Sequence, residues 1–500
     1  MSNTTRRLLH SRCGKTSYYS KLMSLNAVTV AIRPQRCDYF PGTWTGAKHF
    51  HHSKQVPTSS TIESTNGHGV WAETRGSNST PLSTLPMPIL LRSLFVSGVC
   101  SKPYLLRPSL SILSFLSKPY RNFLFSIDRN PLLYWLVKRV LYEQFCVGEN
   151  EADAKKTMAR MHGFGFSGII LTYAKETTFD HKSKTEHATG STMQRADTAE
   201  HKCEEIEAWR AGTLQTVYMT GNGDKVAIKM TGAGALATKA FAAGELAPKQ
   251  MMDALDEICQ AARQTKSCIV IDAESQHFQR GIARTAVTLM RKYNTEEYPL
   301  VFQTYQCYLK GTRQRVAKDL ALAAQEGWTI GVKLVRGAYM ATDERSRIHD
   351  TKDETDRAYD SITRDLLRRD MDGFGGVEQL RGRPFPRMSV ILATHNKKSA
   401  MAAHKLHQEM THEGLDTVPL EFAQLHGMAD SVSFSILHAK NAQGEAPKVL
   451  KCSTWGPMSE CLGYLLRRAI ENREAVSRTR DEFKAVKAEF SRRVFSVIGL

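Results

Sequence analysis

The sequence lacks several features that would assign it directly. Its ten Cys are scattered, with no CxxC pair and no secretory signal. They read as reduced thiols, and neither a disulfide framework nor a zinc site is legible. No clean apolar run reaches the ~20 residues a spanning helix needs. The most apolar stretch, PILLRSLFVSGVCSKPYLL at 88–106, is interrupted by Arg92 and Lys102. Such a segment can still lie on a membrane surface. No GxGxxG turn follows a strand-like run, which argues against a dinucleotide-binding open sheet. Acids are scarce at one end: residues 1–145 carry 18 Lys/Arg against 5 Asp/Glu, whereas the other 355 carry 50 against 45. The net charge of +18 therefore sits mainly in the N-terminal part. That distribution does not indicate a basic nucleic-acid-binding face on a folded body.

The N-terminal part divides by composition. Residues 1–36 hold seven Lys/Arg, no acid and many Ser/Thr, the composition of a mitochondrial transit peptide, with a disordered basic tail as the alternative. We expect this segment to cover 1–60. A polar, Gly/Ser/Thr/Pro-rich linker is expected to run to 87. Residues 88–162 read as a helical segment, in which LLYWLVKRVLYEQF has helical spacing and Asn130-Pro131 marks its start.

The period then changes. Apolar, β-branched runs occur at 168–174, 225–232, 268–274, 299–306, 330–339, 389–396, 420–427 and 448–456. Helix-like stretches such as DALDEICQAARQT, QRVAKDLALAAQEG and DRAYDSITRDLLRR lie between them. Continuously apolar strands alternating with helices imply a parallel sheet covered on its outer face. Eight of them predict an α/β fold of the (β/α)8 barrel type over 163–495, with an open doubly wound sheet as the alternative. The piece 368–388 reads as a surface excursion and 472–493 as an exposed terminal helix.

A barrel gathers chemistry at the C-terminal ends of its strands. Those ends offer Lys229, Asp272, Gln303, Lys333, Arg336 with Tyr339, Thr394-His395-Asn396, and Gln424 with His426. Burying so many polar groups unpartnered would cost about 1–3 kcal/mol each, so a large polar ligand is expected at this mouth. A second signal is YLLRRAIEN at 464–472, where Arg467 and Arg468 stand side by side.

The motifs IDAE (271–274), VFQTYQ (301–306), KLVRGAYM (333–340), ATHN (393–396), FAQLHGMAD (422–430) and YLLRRAIEN are collinear. Together they resemble the proline dehydrogenase family over roughly residues 88–495. ILTYAKE (170–176) and the stretch 128–150 look like its fungal mitochondrial branch. The resemblance implies a distorted barrel holding FAD, with L-proline oxidised to Δ1-pyrroline-5-carboxylate by hydride transfer from C5 to the flavin N5. Electrons would pass to a membrane quinone, with peripheral contact on the matrix side of the inner mitochondrial membrane.

The family pattern also implies residue roles. Arg467 and Arg468 would grip the substrate carboxylate, with Lys229 helping and Glu471 orienting an arginine. Tyr339 and Tyr464 would wall the ring. Gln303, Lys333, Val335, Arg336, Gly337, Ala338, Thr394, His395, Asn396, Gln424 and Leu425 would lie along or near the flavin, together with Asp272. Asp272, Lys333 and Tyr339 would carry the catalytic centre, Asp272 either as a base or as the ion-pair partner of Lys229. Gly337 is expected to let the flat ring approach the backbone.

Two departures stand out: Lys333 replaces a frequent Arg, and Cys452 replaces a frequent Tyr that lines the pocket. Another barrel enzyme, a Schiff-base aldolase or phosphate-binding isomerase using Lys229 or Lys333, is the competing class. No Gly-rich phosphate loop follows the seventh or eighth strand, however. A related barrel enzyme acting on hydroxyproline or another small cyclic amino acid also fits this pattern. A non-enzymatic, basic binding protein that uses residues 1–145 is the other competing function.

Overall fold

Eight parallel strands close on themselves in the computed structural model of this chain. It describes residues 80–498, less 118–122, 128, 175, 181–184, 190–201, 341, 375–383, 442–443 and 475. The expected transit segment, and the linker as far as residue 79, lie outside the described residues.

The strands are β1 (Gly168–Tyr173), β2 (Lys225–Ile228), β3 (Cys268–Ile271), β4 (Val301–Gln306), β5 (Ile330–Val335), β6 (Met388–Ala393), β7 (Leu420–Leu425) and β8 (Lys448–Trp455). Each pairs in parallel with the next, and β8 returns to β1 with Cys452 opposite Ile170. Seven fall within the runs the sequence marks, and β6 begins one residue before its run, at Met388. A short strand, Cys146–Gly148, adds outside the circuit on β8. A hairpin of Glu176–Asp180 with Thr185–Thr189, which the sequence pattern does not mark, follows β1.

The principal helices are α1 (Met87–Cys100), α2 (Pro103–Leu116), α3 (Glu151–Gly163), α4 (Glu204–Met219), α5 (Lys249–Thr265), α6 (Gln276–Tyr293) and α7 (Thr312–Glu326). They continue with α8 (Lys352–Leu367), α9 (Lys397–His412), α10 (Asp430–Leu437), α11 (Met458–Glu474) and α12 (Val476–Ile498).

The alternation of strand side chains sets up the site. Ile170, Ala227, Val270, Phe302, Ile391, Ala423 and Leu450 form one layer inside the barrel. Their neighbours in sequence, such as Ile169, Val226, Ile271, Val301 and Val332, pack outward into the larger core under the helices. Both faces are apolar, which is why the strands read as continuous hydrophobic runs. The inward position two residues further along each strand is where the barrel turns polar: Lys229, Asp272, Thr304 and Lys333 follow the layer residues Ala227, Val270, Phe302 and Gly331.

The opposite end is closed by a buried ion pair. Lys225 Nζ lies 2.9 Å from Glu421 Oε2, which also accepts from Tyr298 Oη at 3.0 Å. Burial works against the Lys225 charge, but Glu421 more than offsets it and the ammonium is held above its usual range. Breaking a buried pair costs about 3–5 kcal/mol, whereas replacing both members with apolar groups is often neutral. Lys225→Met is therefore expected to lower the unfolding midpoint in a thermal scan, and Lys225→Met with Glu421→Leu to recover most of the loss. Equal loss in the single and double variants would contradict this account.

Two expectations need correction. The terminal helix is not merely exposed: Val486 and Glu489 of α12 are fully buried, and Phe483 fills the space over Gly98 of α1. Its polar composition hides this because Glu489 is neutralised by Arg492 and Arg493 at 2.8 and 2.6 Å. The linker also ends early. Leu82 and Leu85 are buried in the core, and Arg493 donates to the carbonyls of Leu82, Ser83 and Leu85. Of the expected excursion 368–388, Asp372–Phe374 forms a turn with Phe374 buried, and 375–383 lie outside the described residues.

Candidate active site

At the C-terminal mouth, three inward side chains from three strands meet. Asp272, just past β3, accepts from Lys333 of β5 at 2.8 Å through Oδ1. Through Oδ2 it faces Lys229, just past β2, at 3.1 Å. The carboxylate thus bridges two ammonium groups. Burial pushes the Asp272 carboxyl up, but the charges of Lys229 and Lys333 overcome this and hold it at about 2. Burial likewise disfavours the Lys229 charge, and Asp272 reverses the effect, keeping the ammonium above its ordinary value. Of the two readings of Asp272, the geometry realises the ion pair; a carboxylate held this acidic is a poor base at neutral pH.

Tyr339 completes the group. Its hydroxyl lies 3.4 Å from Lys229 Nζ, with the ammonium 6.0 Å from the ring centre. Burial raises its pKa and Lys229 opposes this, leaving it pushed up to about 12. The phenol therefore stays protonated across the physiological range.

Sequence pattern alone misses what positions these groups. Asp343 Oδ1 accepts from Ser275 Oγ and the Gln276 amide, both at 3.0 Å, and its Oδ2 accepts from Tyr308 Oη at 2.7 Å. Its own amide donates to the Tyr339 carbonyl at 2.8 Å. One carboxylate thereby ties the turn after Tyr339 to the start of α6. Glu274 acts similarly beside Lys229, accepting from the amides of Met230 and Thr231 at 2.7 and 3.1 Å. Glu274 stands in the IDAE motif; Asp343 lies in a loop with no periodicity to mark it.

Past β5 the chain turns at Gly337, whose φ is +145°. The expected reason for this glycine needs revision. A Cβ there would fall 2.1 Å from the Tyr308 ring, so the missing side chain makes room for Tyr308. Val335 is half-buried, while Gly337 and Ala338 are exposed at the rim.

Arg336 is fully engaged. It donates to Asp356 at 2.6 Å, Thr394 at 2.5 Å and Ser399 at 2.8 Å, and stacks 4.3 Å from the Tyr359 ring centre. Thr394 Oγ1 also accepts from the Asn396 amide at 3.0 Å, and Asn396 caps α9. His395 Nε2 accepts from the Leu425 amide at 3.0 Å. The ATHN turn and the end of β7 are thus held together at the rim.

Three strand-end residues face away from the mouth. Gln303 occupies an outward position and donates to Asp319 of α7 at 3.3 Å. Gln424 donates to the Thr394 carbonyl at 3.2 Å and accepts from Ser433 of α10 at 3.0 Å. His426 contacts Ser453 at 3.1 Å on the helix side. Residues expected along the cofactor from their place at strand ends are separated by parity: Thr304, one position beyond Gln303, faces inward opposite Lys333. Among the described residues, the Thr304 hydroxyl is buried with no protein partner.

α11 leaves the mouth directly after β8. Arg468 is 7% exposed, with its guanidinium 4.8 Å from the centre of the Tyr464 ring, which is itself buried. Arg467 is half-buried on the same helix. Cys452 lies inward on β8 beside the interior layer. Burial pushes its thiol up, while Lys333, Asp272 and Arg468 all act on it electrostatically. The side chain of Glu471 lies outside the described residues.

A closed (β/α)8 barrel with a bridged lysine–aspartate–lysine cluster at its C-terminal mouth, followed by a helix that carries a buried arginine, has the architecture of a barrel enzyme. The sequence profile of the family described as proline dehydrogenase matches residues 154–481, and the chain belongs to that family. It is 27% identical over 447 residues to a Schizosaccharomyces pombe protein named "Probable proline dehydrogenase, mitochondrial", covering 81% of this chain and 88% of that one. It is 34% identical over 252 residues to human proline dehydrogenase 1, mitochondrial, covering 50% of this chain but 40% of the human one. A Bos taurus hydroxyproline dehydrogenase is 26% identical over 445 residues, with coverage of 81% and 90%. The structure of proline utilization A from Bdellovibrio bacteriovorus shares the fold, with a TM-score of 0.55 at 15% identity, over 80% of this chain and 39% of that one.

Proposed function

We propose that this chain oxidises L-proline to Δ1-pyrroline-5-carboxylate, the first step of proline catabolism, in mitochondria on the matrix side of the inner membrane. FAD is the cofactor and a membrane quinone the final electron acceptor. The observation that carries the reading is the bridged Lys229–Asp272–Lys333 cluster on inward strand positions, with Arg468 buried on the helix that follows β8.

The residues present fit a flavin. Thr304 brings an unsatisfied buried hydroxyl to the inner wall beside Lys333, and the exposed Gly337–Ala338 rim offers open backbone. Thr304, Lys333, Val335, Gly337 and Ala338 would hold the ring system, with Thr394, His395, Asn396 and Leu425 at the adjoining rim. When bound, the flavin supplies the two-electron acceptor for the C5 hydride.

The protein's part is binding and electrostatics. Lys229 and Lys333 set two cations around Asp272, with Glu274 beside Lys229, and Arg467 and Arg468 stand on the helix after β8. Cations placed here attract the proline carboxylate and would favour negative charge on a reduced cofactor. Arg468, with Arg467, grips the carboxylate through forked, charge-assisted hydrogen bonds. Tyr339 and Tyr464 wall the pyrrolidine ring, Tyr339 being held by the Asp343 turn. Asp272 offsets the charge of both lysines and holds them in place.

Hydroxyproline is the second reading, favoured by Cys452, whose small side chain leaves space where a Tyr would stand. Anaerobic addition of L-proline to purified protein is expected to bleach a flavin absorption band. Bleaching by hydroxyproline alone would transfer the assignment to that substrate, and protein with no flavin spectrum would defeat both readings.

A further inference from the structure

The helical segment ahead of the barrel buries one apolar face and leaves another bare. In α2, Leu106, Leu110 and Leu113 point into the protein. Leu105, Ile112 and Phe115 point out, seven and three residues apart as on one helix face, with Tyr104 beside them 69% exposed. The bare face continues. Phe115 meets Phe125 edge to face at 5.5 Å, so the turn Phe123–Phe125, exposed at all three residues, extends it. Asn130 Nδ2 donates to the Leu124 carbonyl at 3.0 Å while its Oδ1 caps the helix Pro131–Val137. That helix presents Leu132, 73% exposed, with Trp135 and Leu136. A run this extended exceeds the scattered apolar residues normal on a soluble surface.

Charge identifies the occupant. Residues 74–142 contain nine Lys/Arg and a single acid, Asp128, and of the nine Arg92, Lys138 and Arg139 are paired with Glu143 or Glu149. Lys102, Arg107 and Arg129 are exposed, with no acidic partner among the described residues. Apolar and aromatic residues flanked by exposed cations fit the headgroup–acyl boundary of an anionic bilayer. No single described helix is long and apolar enough to cross a membrane; α1 and α2 together are, but they are bent by 100° at their junction, and each buries one side against the protein, which favours a face lying on lipid over a span.

We propose that α2, the Phe123–Phe125 turn and the helix Pro131–Val137 form the surface by which this protein docks on an anionic bilayer. The opposite side of α2 packs into the same cluster as Tyr464 and Leu465 of α11. Docking therefore sets the arginine-bearing helix about one helix diameter, ~10 Å, from lipid, next to an acceptor dissolved there. The acceptor step rests on the reaction proposed above; the docking does not.

The test is sedimentation of the full chain with phosphatidylcholine vesicles, with and without phosphatidylglycerol. Wild-type protein is expected to bind the anionic vesicles. Ile112→Glu combined with Leu132→Glu is expected to weaken binding by at least about 10-fold, and Arg107→Glu to weaken binding only to anionic vesicles. Brominated lipid should quench the protein's tryptophan fluorescence, and Trp135→Phe should remove most of that quenching. Both exposed-face variants should reduce a water-soluble dye with proline at the wild-type rate but lose rate with a lipid-dissolved quinone. Unchanged vesicle binding in the double Glu variant overturns the proposal. So does a wild-type dimer that ignores vesicles and is split by that variant, since the face would then join two copies. Absent dye reduction by wild type, with vesicle binding intact, counts against the reaction and leaves the docking standing.

Discussion

Arg468→Met is expected to retain flavin and lose proline affinity by about 10- to 150-fold, the equivalent of one hydrogen bond between charged groups at about 1.5–3 kcal/mol. The residue is buried, and its guanidinium is stacked near the Tyr464 ring, so the fork is preorganised and little entropy is lost when a carboxylate arrives. Met keeps the length and apolar contact of the side chain, so packing against Tyr464 survives. The loss should appear in KM and kcat/KM in steady-state assays, with kcat changing less, because the carboxylate is remote from C5. Arg468→Lys should recover only part, since an ammonium cannot reproduce bidentate geometry. A variant with normal KM would remove the arginine helix from the substrate site, and with it the role assigned to Arg467.

Much of the barrel was legible because its strands are buried on both faces. Runs such as CIVI and VILA have no polar side, so their hydrophobicity marks strands and their spacing marks helices between them. The same property hides the facing of each residue. Where alternation carries no polarity, a polar group at a strand end can belong to either face. Lys333 and Asp272 point in, whereas Gln303 and Gln424 point out to Asp319 and Ser433. Counting by twos from the ion pair at the closed end would have separated them: Lys225 and Lys229 share parity, as do Glu421 and Leu425. The positioning carboxylate Asp343 was not legible at all, because its partners Ser275 and Tyr308 are brought to it only by barrel closure. The bare face of α2 was half legible, as an apolar run too short to span, yet only packing shows which leucines are left outside.

The largest structural effect is expected at Asp272. Asp272→Asn leaves two ammonium groups facing one neutral amide, and breaking a buried pair of this kind costs about 3–5 kcal/mol. A lowered midpoint in thermal and denaturant unfolding should therefore accompany any loss of activity. The pH dependence separates this role from general-base catalysis. The native carboxyl is held at about 2, below the ordinary aspartate value of ~3.9. Its contribution to stability is accordingly present in full above the unfolded value and is lost as pH falls through the native one. Across the neutral range Asp272 stays ionised, so it should produce no acidic limb in kcat/KM there. A base working near neutrality would produce one. An acidic limb in wild-type kcat/KM that vanishes in Asp272→Asn, with unfolding midpoints unchanged, would return the residue to the catalytic role and leave Lys229 and Lys333 without the partner that offsets their charge in a buried mouth.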